Sequence, residues 1–177
     1  FEVAGDILEV GKGVIGFSIG DRVIAIAPHG GYAEQVAVNV SRCVAMPVAM
    51  SWEHGAAFPV VFGTSHVALW HRARLRVGET LVVHGASGGV GLTAVSIGKK
   101  LGATVIATAN GPEKLKVARR QGADYLIDTS HEEVRTRIME LTNGRGADVI
   151  YDPIGGDSFT ASLRSVAFEG RILVIGF

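Results

Sequence analysis

The spacing of hydrophobic residues along the chain changes near Met46-Pro47. Before that point, short stretches of alternating apolar and polar residues, such as 3–10 and 32–38, are separated by glycine turns. At Ser51 the apolar positions change to a helical spacing, which continues to about residue 73. A period of two predicts strands, and a period near 3.6 predicts helices. Residues 1–50 are therefore predicted to form a β domain, typical of part of a small barrel.

Residues 51–79 are predicted to form a helical joint that separates this β domain from the rest of the chain. Ser51 is a suitable N-cap for a first helix. Pro59 is expected to end or kink that helix because proline lacks a backbone N–H. A second helix is predicted over residues 64–73, and Gly78 then turns the chain into the next strand.

Strands and helices alternate over residues 80–177. Strands are predicted near 80–84, 104–108, 125–127, 148–152 and 171–175, and helices near 89–101, 112–121, 131–142 and 157–167. This alternation predicts an α/β fold, a doubly wound parallel sheet of the Rossmann type covered by helices on both faces. Because the chain opens and closes inside strand-like patterns, we expect it to be a piece of a longer protein.

The stretch Thr80-Leu-Val-Val-His-Gly-Ala-Ser-Gly-Gly-Val-Gly91 carries the most specific signal. A glycine turn lets backbone amides approach a pyrophosphate, and a helix N-terminus adds unpaired N–H groups and a positive dipole end. The pattern lies between a strand signal and a helix signal, which is the context that makes it specific. It predicts a dinucleotide-binding domain; the alternative is a plain glycine-rich turn.

The end of the next strand predicts which dinucleotide is bound. Domains that prefer NAD place an Asp or Glu about 20 residues beyond the glycines, on the ribose 2′-hydroxyl. Here the strand ends in Ala109-Asn110-Gly111, without an acid, and Lys114 follows in the next helix. We therefore expect NADPH, with Lys114 near its 2′-phosphate. The alternative is that Lys114 is only solvated.

Two later loops and the histidines supply further candidates. The segments Tyr151-Asp-Pro-Ile-Gly-Gly156 and Ile175-Gly176-Phe177 end the fourth and fifth strands of the predicted sheet, where each could approach a nicotinamide ring or be a plain turn. No histidines have a HExxH spacing or cluster with the single cysteine, Cys43. His66 is a candidate substrate-site residue, whereas His84 is expected to be packed.

Composition and charge argue against several classes of protein. The 17 Lys and Arg residues balance the 17 Asp and Glu residues, without a basic stripe, so no nucleic-acid partner is expected. One cysteine excludes an intrachain disulfide and a cysteine-rich zinc module. No apolar run reaches the ~18 residues of a membrane span, and no signal-peptide pattern is present, so we expect a cytoplasmic location without a membrane partner.

Six short motifs, taken together and in order, resemble the zinc-free medium-chain dehydrogenases/reductases. The similarity is strongest to their NADPH:quinone oxidoreductase branch, which includes zeta-crystallin. The motifs are Gly20-Asp-Arg-Val23, Gly30-Gly-Tyr-Ala-Glu34, Gly78-Glu-Thr80, His84-Gly-Ala-Ser-Gly-Gly-Val-Gly91, Gly122-Ala-Asp124 and Asp152-Pro-Ile-Gly-Gly156. The resemblance covers essentially the whole chain. It implies part of a GroES-like β-barrel before a Rossmann domain that is incomplete at its C-terminus.

The resemblance also implies that no metal is bound. Zinc-dependent relatives have a His-Glu pair where this chain has Phe1-Glu2, and a cysteine ligand near the position of Val60. The cysteine-rich lobe of those relatives would be inserted after Asp21-Arg-Val23, where this chain has no insertion.

Site residues follow from the same resemblance. Gly88, Gly89 and Val90 would hold the pyrophosphate, while Thr64 would line the nicotinamide together with the last predicted strand end. The full set of expected cofactor-binding residues is Thr64, Ser87, Gly88, Gly89, Val90, Asn110, Lys114, Ile154, Gly155, Ile175, Gly176 and Phe177. The family often has serine at the position of Gly111, tyrosine at that of Thr129 and tyrosine at that of His66, so this chain departs from the family pattern at these three positions.

The predicted activity is hydride transfer from NADPH to a quinone or an α,β-unsaturated carbonyl, without zinc. Thr64 and His66 are candidates for a catalytic role, and no residue is identified as a general acid. One alternative is an enoyl reductase that acts on acyl thioesters. Another is a non-catalytic NADPH-binding protein of the crystallin kind. The family resemblance also implies that the protein could be a homodimer.

Overall fold

The computed structural model describes residues 1–176, so Phe177 lies outside the described residues. The chain divides into two compact units, Phe1–Gly63 and Thr64–Phe177. The predicted division into residues 1–50, 51–79 and 80–177 differs from this one, and it stays a prediction about domains.

An antiparallel three-stranded sheet dominates the first unit. It contains β1 (Glu2–Asp6), β2 (Arg22–Ile26) and β3 (Cys43–Ala45), in that spatial order. The predicted strand over 3–10 is thus shorter than expected, and the strand predicted over 32–38 does not form. Residues 32–38 pair with no neighbouring strand within the described chain, and alternation alone does not make a strand without a hydrogen-bonded neighbour.

Helix α1 (Trp52–His66) continues through Pro59, so the expected break at this proline is wrong. The proline removes one hydrogen bond, to the carbonyl of Gly55 four residues earlier. A helix of 15 residues tolerates that loss. The second helix predicted from residue 64 is a continuation of α1 followed by a π-helical turn, Val67–Arg72. Ala73 N–H donates to the Ala68 carbonyl, five residues back, at 2.8 Å.

Strands and helices alternate through the second unit, as predicted. In chain order the elements are β4 (Thr80–Val83), α2 (Gly89–Lys100), β5 (Thr104–Ala109), α3 (Pro112–Arg120), β6 (Tyr125–Asp128), α4 (Val134–Leu141), β7 (Ala147–Asp152), α5 (Asp157–Leu163) and β8 (Val166–Val174). The five strands are parallel, in the order β6-β5-β4-β7-β8. This is the doubly wound Rossmann order, and the predicted α/β fold class is confirmed.

The core lies on both faces of the parallel sheet. Successive residues of β4 alternate between the faces, so Leu81 and Val83 belong to one apolar cluster and Val82 to the other. Strand β4 is buried along its whole length. The strand that leads into the glycine turn is therefore held rigidly on both sides, and its carboxyl end is fixed in place.

Candidate dinucleotide-binding site

The glycine turn connects β4 to α2. Gly88 is the N-cap residue of α2 and Gly85 has a positive φ of 56°. A Cβ on Gly91 would lie 2.3 Å from the carbonyl oxygen of Gly85 and 2.8 Å from Cα of Ala86. Only glycine at position 91 therefore lets the first turn of α2 pack against the turn that follows β4. This packing presents the unpaired N–H groups of the helix N-terminus at the carboxyl end of the sheet.

A cavity of about 630 Å³ lies at the carboxyl ends of β4, β5, β6 and β7. In open α/β sheets this is the edge at which ligands bind. Its wall is formed by the glycine turn, the end of β5 with the start of α3, the segment after β6, and the loop and helix after β7. The lining residues are Gly85, Ser87, Gly88, Thr108, Ala109, Asn110, Lys114, Thr129, Glu132, Glu133, Val134, Ile154, Asp157, Ser158 and Ala161.

The structure brings part of the predicted site together at this cavity. Five expected cofactor-binding residues line it: Ser87, Gly88, Asn110, Lys114 and Ile154. Gly89, Val90 and Gly155 are their immediate neighbours in the chain, whereas Thr64, His66, Ile175 and Gly176 do not line it. Phe177 lies outside the described residues. The roles of all these residues in cofactor binding remain predictions.

The two catalytic candidates lie on the last turns of α1. Thr64 is half-buried, and the exposed ring of His66 stacks on Trp70 with 6.3 Å between centroids. His71 meets the His66 ring edge-on at 5.6 Å.

Ser65, between the two catalytic candidates, is a residue that the sequence analysis missed. Its hydroxyl is fully buried, donates to the Val90 carbonyl at 2.9 Å and lies 2.9 Å from the Tyr151 hydroxyl. The Ser65 hydroxyl also lies 2.8 Å from the Thr93 hydroxyl, so it joins α2 and β7 in one buried network. Burial raises the pKa of Tyr151, which keeps this phenol protonated. The network fixes the first turn of α2 relative to β7.

Asp128, at the end of β6, fixes the loop that carries Asn110. Its Oδ1 accepts hydrogen bonds from the Ser130 hydroxyl at 2.6 Å, the Ser130 N–H at 3.0 Å and the Gly111 N–H at 2.9 Å. These donors lower the pKa of Asp128 to about 2, so its carboxylate is ionised. Gly111 has φ 91° and ψ 153°, a conformation that is essentially restricted to glycine.

Charges of both signs line the same part of the cavity. Lys114 is exposed and, within residues 1–176, makes no ion pair or hydrogen bond. Glu132 accepts from the Asp128 N–H at 2.7 Å and pairs with Arg137 at 2.8 Å. Glu133 caps α4 by accepting from the Thr136 N–H at 2.6 Å. Both carboxylates are thus engaged in local contacts, whereas the Lys114 ammonium is available to a ligand.

The loop after β7 closes the cavity beside the glycine turn. Asp152 Oδ1 accepts from the N–H groups of Ile154 at 2.9 Å and Gly155 at 3.0 Å, which forms an Asx turn. A Cβ on Gly85 would lie 2.7 Å from Cδ1 of Ile154. Glycine at position 85 therefore lets the Ile154 side chain pack directly on the turn.

Among residues 1–176, no three His, Cys, Asp or Glu side chains are grouped so that they could hold a metal ion. In the same part of the chain, no helix has the length and apolar character needed to span a bilayer.

Comparison with known proteins agrees with this architecture. The quinone oxidoreductase of Pseudomonas aeruginosa is 40% identical over 176 residues, which are 99% of this chain and 54% of that protein. The crystal structure of the CurK enoyl reductase is 34% identical, with a TM-score of 0.91 over 97% of this chain and 52% of its own. A mycobacterial protein complexed with NADPH is also 34% identical, with a TM-score of 0.91 over 98% and 55%.

The chain spans about half the length of the curated relatives it matches. Because the similarity extends over nearly all of the chain, it includes the antiparallel sheet of the first unit as well as the Rossmann sheet. Residues 89–177 match the family described as zinc-binding dehydrogenase. The chain therefore belongs to the zinc-binding dehydrogenase family, among the quinone oxidoreductase-like medium-chain dehydrogenases/reductases that its sequence motifs resemble.

Proposed function

We propose that this chain belongs to an oxidoreductase that transfers hydride from NADPH to a quinone or an α,β-unsaturated carbonyl. The observation that carries the proposal is the close packing of Gly91 on Gly85, which opens a helix N-terminus onto the cavity at the carboxyl ends of the strands. Relatives named as quinone oxidoreductases support the reaction class, and the neighbour complexed with NADPH supports the cofactor.

The residues present fit NADPH. Gly88 caps α2 without a side-chain hydrogen bond, so the first N–H groups of the helix are open to a pyrophosphate. Lys114 carries a positive charge without a partner in the described chain, on the α3 side of the same cavity. We expect it to meet the 2′-phosphate. Asn110, next to the fixed Gly111, would contribute to this end of the site.

The protein's contribution to the reaction is binding and orientation. When bound, NADPH supplies the hydride. The glycine turn would hold the pyrophosphate, and Ile154 would contact the dinucleotide beside it. These contacts fix the nicotinamide end relative to a substrate. Thr64, with Ile175, Gly176 and Phe177 at the last strand end, is proposed for the nicotinamide end, and His66 is proposed as a substrate-site residue. The proposed reaction uses no zinc.

Two alternatives remain open within the proposal. The similarity to the CurK enoyl reductase favours reduction of an acyl thioester carrying an α,β-double bond. A non-catalytic NADPH-binding protein would have the same glycine turn and the same unpaired Lys114, so turnover alone separates it from an enzyme. A homodimer, a cytoplasmic location and the absence of a nucleic-acid or membrane partner are proposed with the function.

The first experiment is a parallel titration of the chain with NADPH and NADH, followed by nucleotide fluorescence and by thermal stability. Lys114→Ala is expected to weaken NADPH binding about 10- to 100-fold because it removes a charged hydrogen bond to phosphate. It should leave NADH binding within about twofold of wild type. Lys116→Ala is the matched control: Lys116 lies on the same helix but pairs with Glu113 and is absent from the cavity wall.

Equal affinity of the wild type for both nucleotides would contradict the assigned role of Lys114. A quinone, a simple enone and an acyl thioester are then compared as hydride acceptors. Preferential turnover of the thioester would replace the leading substrate class by the enoyl reductase alternative. Binding of NADPH without turnover of any acceptor class would favour the non-catalytic alternative.

A further inference from the structure

A chain of buried hydrogen bonds runs beneath the cavity and is not explained by the dinucleotide contacts above. His84 Nδ1 lies 3.0 Å from the Thr108 hydroxyl, and His84 Nε2 lies 3.0 Å from the Ser162 hydroxyl. Ser162 Oγ in turn donates to the Ser158 carbonyl at 2.8 Å. His84, Thr108 and Ser162 are each at least 98% buried. Thr108 and Ser158, the two ends of the chain, line the cavity.

The direction of the chain rests on the Ser162 proton, which has two acceptors within reach, the Ser158 carbonyl at 2.8 Å and His84 Nε2 at 3.0 Å. We assign it to the nearer one, the Ser158 carbonyl, whose oxygen can only accept. The Ser162 oxygen is then left to accept, and the donor has to be His84 Nε2–H. If the imidazole is neutral, Nδ1 has no proton and must accept from the Thr108 O–H.

Burial keeps the imidazole neutral. His84 is only 1% exposed, and both ring nitrogens are occupied by hydroxyl oxygens. Removal from water lowers the pKa of His84, and the opposing influence is the nearby charge of Asp152. The Asp152 carboxylate makes its described hydrogen bonds to the N–H groups of Ile154 and Gly155, not to the imidazole.

The Thr108 proton is therefore committed to His84, and only lone pairs of Thr108 Oγ1 are left. We propose that His84 is a positioning residue that fixes the Thr108 hydroxyl as a hydrogen-bond acceptor at the cavity, where it receives a hydroxyl proton from a ribose of the bound dinucleotide. An acceptor at this point repels a phosphate oxygen, so it helps to set which portion of the ligand lies against β5. The proposal deepens the proposed function and depends on it.

The first test reads His84 directly, without ligand. Nitrogen NMR of the imidazole in the 177-residue chain at pH 7 should give the signals of a neutral ring protonated at Nε2. Ser162→Ala removes the acceptor that imposes this tautomer, so signals of the other tautomer should appear. An imidazolium ring, or a neutral ring protonated at Nδ1 in the wild type, would overturn the proposal. A role for His84 in packing alone would not require either tautomer.

The second test reads the ligand. Thr108→Val keeps the shape of the side chain and removes the acceptor, so NADPH should bind about three- to tenfold more weakly, the loss expected for one hydrogen bond. Thr108→Ser keeps the hydroxyl and should restore wild-type affinity. Wild-type affinity in Thr108→Val overturns the ribose contact. If the wild type itself fails to bind NADPH, both the proposed function and the ribose contact are wrong. The nitrogen signals then still report whether His84 has the inferred tautomer.

Discussion

The parallel sheet has an amino edge, where its strands begin, and a carboxyl edge, where they end, and charged side chains are paired differently at the two. At the amino ends of the strands, acidic and basic side chains neutralise one another in half-buried ion pairs. These pairs are Arg171–Glu79, Arg145–Asp148 and Lys99–Asp124. At the carboxyl ends, Lys114 has no partner within residues 1–176, and the buried hydroxyls of Thr108 and Ser162 are joined through His84 in a hydrogen-bond chain. One edge satisfies its own charges, whereas the other leaves a charge available to a ligand.

The same contrast extends to the backbone. Glycines at the carboxyl edge allow contacts that a Cβ would prevent, as at Gly91 and Gly85. At the amino edge the contacts come from long side chains: the Arg171 guanidinium donates to both oxygens of Glu79 and to the carbonyls of Ala73 and Asp148. Substitutions at the two edges should therefore separate ligand binding from stability.

The largest effect is expected for Gly91→Ala. The added Cβ would lie 2.3 Å from the Gly85 carbonyl oxygen, and its three nearest atoms all belong to the backbone of Gly85 and Ala86, so no flexible side chain can move aside. We expect a loss of about 3 kcal/mol in the free energy of unfolding, at the upper end of overpacking costs, together with loss of NADPH binding. Denaturant unfolding and nucleotide titration measure the two quantities.

Gly63→Ala is the matched control, since Gly63 also lies in a helix but has no atom within 4 Å of its added Cβ. It should stabilise the chain by about 0.5–1 kcal/mol, as alanine does in a helix interior. If both substitutions change the free energy of unfolding equally, the close contact at position 91 is not the reason that the turn needs glycine there.

Arg171→Met, at the amino edge, should show the opposite pattern. It leaves Glu79 without the guanidinium that lowers the pKa of this carboxylate, and it removes the donor to two carbonyls. We expect a loss of about 2 kcal/mol in unfolding free energy, with NADPH affinity within twofold of wild type. Arg120→Met, an exposed change on α3, provides the control for removal of a charge. If Arg171→Met loses more NADPH affinity than its lower stability explains, substitutions at the two edges do not separate ligand binding from stability.

The parts of the fold that were predicted correctly depend on local sequence. The order of strand, glycine turn and helix around Gly88 follows from neighbouring residues, and so do the alternating elements after residue 80. The wrong expectations depend on more distant surroundings. Residues 32–38 have a strand pattern but no neighbouring strand in the described chain, and Pro59 is accommodated within a helix that continues on both sides of it.

Only part of the candidate site could be predicted, and that part again depends on local sequence. Ser87, Gly88, Asn110 and Lys114 lie close in sequence to a recognisable turn or strand end. Asp128 acts on Gly111, 17 residues away, and Ser65 meets Tyr151 across 86 residues. Such pairs have no signal in a single sequence. Asp157 and Ser158 could have been expected, because they begin the helix after a strand that was predicted to end at the site.

Gly111→Ser tests the glycine at which this chain departs from its family. A side chain at φ 91° and ψ 153° is strained although the surrounding space is open. We expect a cost of about 1–2 kcal/mol in unfolding free energy, or a rearranged loop with altered NADPH affinity. Gly5→Ser, at an open strand position without a positive φ, controls for the serine itself. A fully neutral Gly111→Ser would contradict the described loop conformation.

The smallest effect is expected from acid titration of Asp128, because its side chain is only partly buried. Its pKa is about 2 in the folded chain against an ordinary value of 3.8, so the unfolded state binds the proton first. The stability that Asp128 contributes is thus complete above pH 3.8 and is lost as the pH falls towards 2. Glu79, Asp124 and Asp148 titrate with lowered pKa values at the amino edge and add to the wild-type curve. The difference between the unfolding curves of wild type and Asp128→Asn isolates the contribution from the carboxyl edge. A difference curve that stays flat between pH 4 and pH 2 would mean that the Ser130 and Gly111 donors do not hold this carboxylate, and that the loop carrying Asn110 is fixed by something else.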